Sequence, residues 1–236
     1  MTKQDDLIAY VFDGQPHPLA GELRRWMEVS TRFTTFVENY RDKIRKKARI
    51  NRQLESALDL RGELEVAYRL LSDRRLELSY EPYASLKKRG PDFAVTYRAN
   101  LVFNLEVARI RNDENHPVGG DLQRKEERIL RVMLDKLGQM HPSMPNLLVI
   151  HVWEELARAV NLDQLMQEIK TKVEKHDASF YSSSRYNSPA HFYRDFLHLN
   201  GLMLWAPGGQ MWINKQARPA LQEKVLRLID SLAAGQ

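Results

Sequence analysis

The chain has 236 residues, of which 43% are hydrophobic and 28% charged, a composition typical of a soluble globular protein with one large domain or a domain with an appendage. It contains no cysteine, which excludes disulfide bonds and thiolate metal sites. No apolar run approaches the roughly 20 residues of a membrane-spanning helix, and the acidic residues at positions 5 and 6 are unlike the basic start of a secretion signal. We therefore expect a cytoplasmic protein without a membrane partner.

The net charge of +5 is concentrated in one segment. Seven lysine and arginine residues lie between positions 41 and 52, against a single acid, Asp42. A local basic cluster of this kind predicts contact with a polyanion such as nucleic acid, although a solvated helix face explains the same pattern without a ligand. The residues that we assign to this nucleic-acid contact are Arg41, Lys43, Arg45, Lys46, Lys47 and Arg49.

The N-terminal part of the chain has mainly helical periodicity. Residues 7–12 are apolar and predict a short strand, and residues 13–16 predict a turn. From 18 to 72, apolar residues recur at steps of three, four and seven, which predicts two or three long helices. We therefore divide the chain into a helical region, 1–72, packed on an α/β core, 73–236.

The period changes at residue 73. Leu76 and Leu78 alternate with polar residues and predict a strand. Residues 92–97 and 101–111 predict a hairpin around a turn at 98–100. Asp121 is the predicted cap of a helix with apolar positions through Met140, and residues 147–153 predict a strand that is buried on both faces.

The last third alternates helices with one hairpin. Helices are predicted from Asn161 to Val173, from Pro189 with Ser188 as its cap, and from Pro219 through Leu232. Residues 176–187 are rich in serine and predict a loop, and segments 202–205 and 211–213 predict a hairpin.

Two carboxylates in the first hairpin are the strongest functional signal. Strand alternation places Asp92 and Glu106 on a common side, with Ala108 on the face of Glu106 and Arg109 on the opposite face. Carboxylates placed together repel each other, and a hard divalent cation such as Mg²⁺ relieves this repulsion. The alternative without a function is that Asp92 is a turn residue and Glu106 a solvent-facing strand residue.

The Pro91-Asp92 pair followed by Glu106 resembles the motif of the PD-(D/E)XK nuclease superfamily. The predicted order of helix, strand, hairpin, helix and strand over residues 55–155 matches this family as well. The resemblance implies a restriction-endonuclease-like mixed sheet flanked by helices, an Mg²⁺ or Mn²⁺ site at Glu63 or Glu65 with Asp92 and Glu106, and catalysis by Asp92 and Glu106 on nucleic acid.

The chain departs from this family at one position. The family's lysine lies two residues after the second acid, where this chain has Ala108. Gln123, Arg124 or Lys125 on the following helix are the substitutes that the sequence suggests. The alternative is a catalytically inactive interaction module whose N-terminal helices bind a partner or form a homodimer. Under both hypotheses His151 is predicted to be a core histidine.

Overall fold

The structure is a computed structural model that describes residues 2–50, 54–84, 90–111 and 122–233. Within these ranges the chain combines helices and strands, with a mixed α/β architecture. It divides into two compact units, Met1–Tyr80 and Glu81–Gln236. The boundary therefore follows the strand at Leu76, whereas the sequence places it before that strand. None of the described helices combines the length and the apolar character needed to cross a membrane.

The described part of the first unit consists of helices followed by a strand. The elements are α1 (Lys3–Val11), α2 (Ala20–Val29), α3 (Thr31–Ile50), α4 (Leu54–Leu70) and β1 (Leu76–Tyr80). The prediction of long helices over 18–72 is confirmed by α2, α3 and α4. Arg32 fixes the turn that leaves α4, because its guanidinium donates to the carbonyl oxygens of Leu71 at 2.7 Å and Asp73 at 2.6 Å.

The predicted strand over 7–12 is wrong, because residues 7–11 belong to α1 and Phe12 is its C-terminal cap. Thr2 begins that helix with a capping box: its hydroxyl accepts the Asp5 amide N–H, and the Asp5 carboxylate accepts the Thr2 N–H. The apolar run is buried on one side only, at Leu7, Ile8 and Val11, with the spacing of a helix.

The second unit is built on a mixed sheet. Its strands are β2 (Phe93–Tyr97), β3 (Leu101–Arg109), β4 (Asn146–His151), β5 (Leu199–Trp205) and β6 (Met211–Ile213). They lie side by side in chain order, with β3, β4 and β5 parallel and with β2 and β6 antiparallel to their neighbours. Both predicted hairpins are therefore confirmed. Every residue of β4 and β5 is buried, as expected for parallel strands that are covered on both faces.

Helices connect these strands. They are α5 (Leu122–Leu137), α6 (Glu154–Ala159), α7 (Leu162–Glu174), α8 (Ala178–Ser183), α9 (Pro189–Phe196) and α10 (Glu223–Ala233). Side chains from α5, α7 and α9 form one apolar cluster with Leu148 and Ile150 of β4. The predicted caps at Asn161 and Ser188 are confirmed by their hydrogen bonds to Gln164 and His191.

The loop predicted over 176–187 contains α8, which Asp177 caps by accepting the amide N–H groups of Ser179 and Phe180. The final helix begins at Glu223, after Pro219. The predicted cap at Asp121 lies outside the described residues.

Buried asparagines connect the starts of the parallel strands. The Asn146 side-chain amide donates to the carbonyl oxygens of His141, Met144 and His198 at 2.6–3.0 Å, and its oxygen accepts from Asn104 Nδ2 at 3.1 Å. The Asn146 N–H donates to Asn200 Oδ1 at 2.7 Å. These bonds satisfy polar groups that would otherwise be buried without partners.

We predict that Asn146→Ala lowers the free energy of unfolding by roughly 3 kcal/mol, because it leaves several buried polar groups unsatisfied. Urea denaturation followed by circular dichroism measures this loss. The control is Gln167→Ala, an exposed side chain on α7, which should change stability by less than about 0.5 kcal/mol. Equal stability of the two variants would contradict the structural role of Asn146.

Candidate functional site

The first hairpin of the second unit brings Asp92 and Glu106 together. Phe93 is paired with Leu105 in antiparallel register, so Asp92 and Glu106 occupy the next opposed positions. Asp92 Oδ2 accepts the backbone N–H of Val107 at 2.9 Å, which fixes this carboxylate against β3. The turn that sets the register holds Arg98 and Ala99 at positive φ. The common side predicted for the two acids is thus the arrangement in the structure.

Glu106 is a largely buried carboxylate, with 12% of its side chain exposed. Burial raises the pKa of Glu106 to about 7, and the neighbouring negative charge of Asp92 acts in the same direction. The Lys136 ammonium opposes both effects, because it forms an ion pair and a hydrogen bond with Glu106 Oε1. Two acids and one lysine therefore meet on this face of the sheet.

Lys136 is a candidate site residue that the sequence pattern does not identify. It lies in the last turn of α5, seven residues after Ile129 and three after Met133, both of which are fully buried. A lysine at this spacing is on the packed stripe of the helix, and that spacing was a usable signal. The described contacts of Glu106 include neither Arg124 nor Lys125, and the side chain of Gln123 lies outside the described residues.

Ala108 lies on the same face as Glu106, as alternation predicts. It is opposite Ile150 of β4 in the parallel register and packs against the apolar cluster of α5 and β4. Arg109 is opposite His151, one position further along β3. His151 is buried, with its ring 5.9 Å from that of Trp205, which fits the prediction of a core histidine.

Glu63, the predicted third acid, belongs to the first unit. Its Oε2 accepts from Lys47 Nζ at 2.7 Å and from the Tyr80 hydroxyl at 2.5 Å. These partners compensate the charge of this largely buried carboxylate within its own unit. Its alternative, Glu65, forms an ion pair with Arg61 of the same helix.

The donor set at Asp92 and Glu106 suits a hard divalent cation. Both side chains present carboxylate oxygens, and Mg²⁺ is commonly bound through one or two carboxylates, with water and substrate phosphate completing its shell. Within the described ranges, no group of three or more His, Cys, Asp or Glu side chains is arranged to hold a metal. The pair therefore fits a partial metal site that leaves positions for water and substrate.

The basic cluster on α3 is largely occupied by partners within the first unit. Arg45 and Arg49 both bind the Asp13 carboxylate, with Nε–oxygen distances of 2.7 and 2.6 Å. Lys47 is paired with Glu63, and Lys43 Nζ donates to the Tyr80 carbonyl oxygen at 2.6 Å. Arg41 and Lys46, two of the predicted nucleic-acid contacts, are exposed. They form no ion pair with any of the described residues.

Comparisons of the chain with family models, with curated proteins and with solved structures each find no match.

The raised pKa of Glu106 gives a testable pH dependence. A carboxyl group whose pKa is higher in the folded state stabilises the fold least at high pH, so this contribution falls from about pH 4.5 through about pH 7. Glu106→Gln removes this pH dependence. We expect the Tm of the variant, relative to that of the unsubstituted protein, to rise between about pH 5 and pH 8 in EDTA.

The measurement is differential scanning fluorimetry across this pH range. Glu127→Gln on the exposed side of α5 is the matched control. A Tm difference for Glu106→Gln that is constant with pH would show that Glu106 is not a destabilised acid.

The ion pairs of Asp13 with Arg45 and Arg49, called here the Asp13 clamp, give a pH dependence of stability with the opposite sign. The guanidinium groups of Arg49 and Arg45 hold the pKa of Asp13 well below its usual range, so its contribution is present above about pH 4 and is lost as the pH falls further. We expect Asp13→Asn to lower the Tm at neutral pH, with the difference shrinking in acid. Asp6→Asn, at an exposed acid of α1, is the control, and an equal effect of both substitutions would refute the clamp.

Proposed function

We propose that the chain is a nuclease-fold protein, similar to the PD-(D/E)XK superfamily, that binds nucleic acid and hydrolyses phosphodiester bonds with Mg²⁺ or Mn²⁺. The observation that carries the proposal is the meeting of Asp92, Glu106 and Lys136 in the second unit. Supporting it, the elements from α4 to β4 follow the order that the resemblance implies. The restriction-endonuclease-like fold and the metal are parts of this proposal.

The two carboxylates would hold the cation through their oxygen atoms. When bound, the metal neutralises phosphate charge and helps to generate hydroxide from water. Asp92 is oriented for this task by the Val107 N–H, and Glu106 is kept from solvent by the packing of α5 and β4. A water-poor site strengthens the interaction of these charges with the ligand.

Lys136 supplies the cationic donor that Ala108 cannot. Its ammonium carries three N–H donors, so it can contact Glu106 and still donate to a phosphate oxygen. The last turn of α5 holds the ammonium beside the second acid. We therefore assign to Lys136 the stabilisation of the charge that develops on the phosphate during hydrolysis.

The test of this proposal is cleavage of plasmid and single-stranded DNA with Mg²⁺ or Mn²⁺. We expect Glu106→Ala to abolish cleavage, and Lys136→Met to lower its rate by two to three orders of magnitude, about 3–4 kcal/mol of lost transition-state stabilisation. Adding Ala108→Lys to Lys136→Met should restore part of the rate, because residue 108 shares the face of Glu106 on β3.

A second readout does not depend on turnover. Mn²⁺ should raise the Tm of the unsubstituted protein by mass action and should not raise that of Asp92→Ala. The catalytic proposal fails if neither metal supports cleavage and Glu106→Ala behaves like the unsubstituted protein.

The second candidate is a non-enzymatic interaction module, and one observation favours it. Val29 and Ile50 of the first unit are 75% and 71% exposed, at the ends of α2 and α3. Exposed apolar side chains at helix ends suit contact with a partner or a second copy. This candidate predicts no Mn²⁺-dependent rise in Tm and a change of oligomeric state in Val29→Ser/Ile50→Ser.

A further inference from the structure

The second unit contains a groove of about 530 Å³, separate from the acidic pair. It lies between the end of α7, the helix α9 and the segment after β6. Three cations line it: Lys170, Lys215 and Arg218, called here the groove cations. We propose that this groove binds the phosphate groups of a nucleic-acid backbone, an inference that rests on the proposed function and names where the substrate is held.

The groove cations differ from the cations of α3 in their partners. No carboxylate lies within ion-pair distance of Lys170, Lys215 or Arg218 among the described residues, whereas Arg45, Lys47 and Arg49 are each paired with an acid. An unpaired cation does not have to give up an internal ion pair when it binds a phosphate. On this ground the groove is a better phosphate site than the basic cluster that dominates the sequence.

The surrounding packing positions the Lys170 ammonium and the backbone at Arg218. The Lys170 ammonium lies 5.4 Å from the ring centre of Phe196 and 5.9 Å from that of Trp212, and it contacts Gln216 Oε1 at 3.4 Å. The Arg218 N–H donates to the Leu197 carbonyl oxygen at 2.7 Å, which ties the segment after β6 to α9. The buried Asn214 binds the Phe196 carbonyl oxygen at 3.0 Å and strengthens the same connection.

One acid, Glu174, also lines the groove. Its Oε1 accepts from the Tyr193 hydroxyl at 2.8 Å, so this carboxylate is turned towards a neutral donor of the groove wall. Burial and the contact with Glu174 raise the pKa of Tyr193 to about 12, which keeps the hydroxyl protonated as a donor. The groove therefore retains a net positive charge, which is the charge complement of a phosphate backbone.

The test is fluorescence anisotropy of labelled duplex and single-stranded DNA with the full chain in EDTA, which prevents cleavage. The variant Lys215→Gln/Arg218→Gln should bind about tenfold more weakly at about 50 mM salt. The slope of log K against log salt should fall by about 1.8 for duplex DNA, since each phosphate contact contributes about 0.9.

Two matched variants control for charge and for folding. Lys172→Gln/Lys175→Gln removes the same charge at exposed positions near the end of α7, outside the groove lining, and should keep the salt slope. Lys215→Arg/Arg218→Lys keeps the charge of the groove and should keep the affinity. Equal weakening by the two glutamine variants, or no binding of either DNA by the unsubstituted protein, would overturn the groove assignment.

The outcomes also separate this inference from the proposed hydrolysis. If the groove variant loses binding while no variant cleaves, the groove stands and the hydrolysis fails. If the unsubstituted protein cleaves DNA and Lys215→Gln/Arg218→Gln binds DNA normally, the hydrolysis stands and the groove assignment fails. Loss of binding to phosphatidylserine vesicles with unchanged DNA binding would assign the groove to a lipid surface instead and overturn the inference.

Discussion

The constraint on which the candidate site depends is the close approach of two carboxylates, the largely buried Glu106 and the partly exposed Asp92. Asp92 and Glu106 occupy opposed positions on neighbouring strands, and each negative charge raises the cost of the other. Such a pair is stable only where hydrogen bonds and cations compensate it. The Val107 N–H and the Lys136 ammonium provide this compensation within the protein, and a divalent cation would add to it. The raised pKa of Glu106 shows that the internal compensation is incomplete.

The topology of the second unit completes this arrangement. Parallel pairing of β3 with β4 requires a crossover, and α5 is the connection that provides it. Packing of Ile129 and Met133 into the apolar cluster sets the rotation of α5 about its axis, which directs Lys136 to the sheet. Lys136, thirty positions after Glu106 in the chain, thereby places a cation beside this acid. Ala108, two positions after Glu106, has no charged group to do so.

The sequence predicts those features that depend on local pattern. Alternation identifies the hairpin of β2 and β3 and the shared face of Asp92 and Glu106, because the period of a strand determines which side chains are neighbours. Residues 7–12 were assigned incorrectly because a short apolar run suits a strand and a helix equally, and the capping box at Thr2 decides between them. Lys136 was not identified because its role depends on the crossover packing of α5, which no local pattern encodes.

Net charge and charge clustering are similarly incomplete guides to binding. The segment over 41–52 has the highest density of cations in the sequence, yet Asp13 and Glu63 neutralise Arg45, Lys47 and Arg49 through contacts distant in the chain. The groove cations are scattered over α7 and the segment after β6, so they form no run in the sequence. Their availability is a property of the fold, because no carboxylate of the described residues lies within ion-pair distance of them. At the groove cations, a phosphate group only displaces counterions. At Arg45 or Arg49, a phosphate group must compete with the existing ion pair to Asp13.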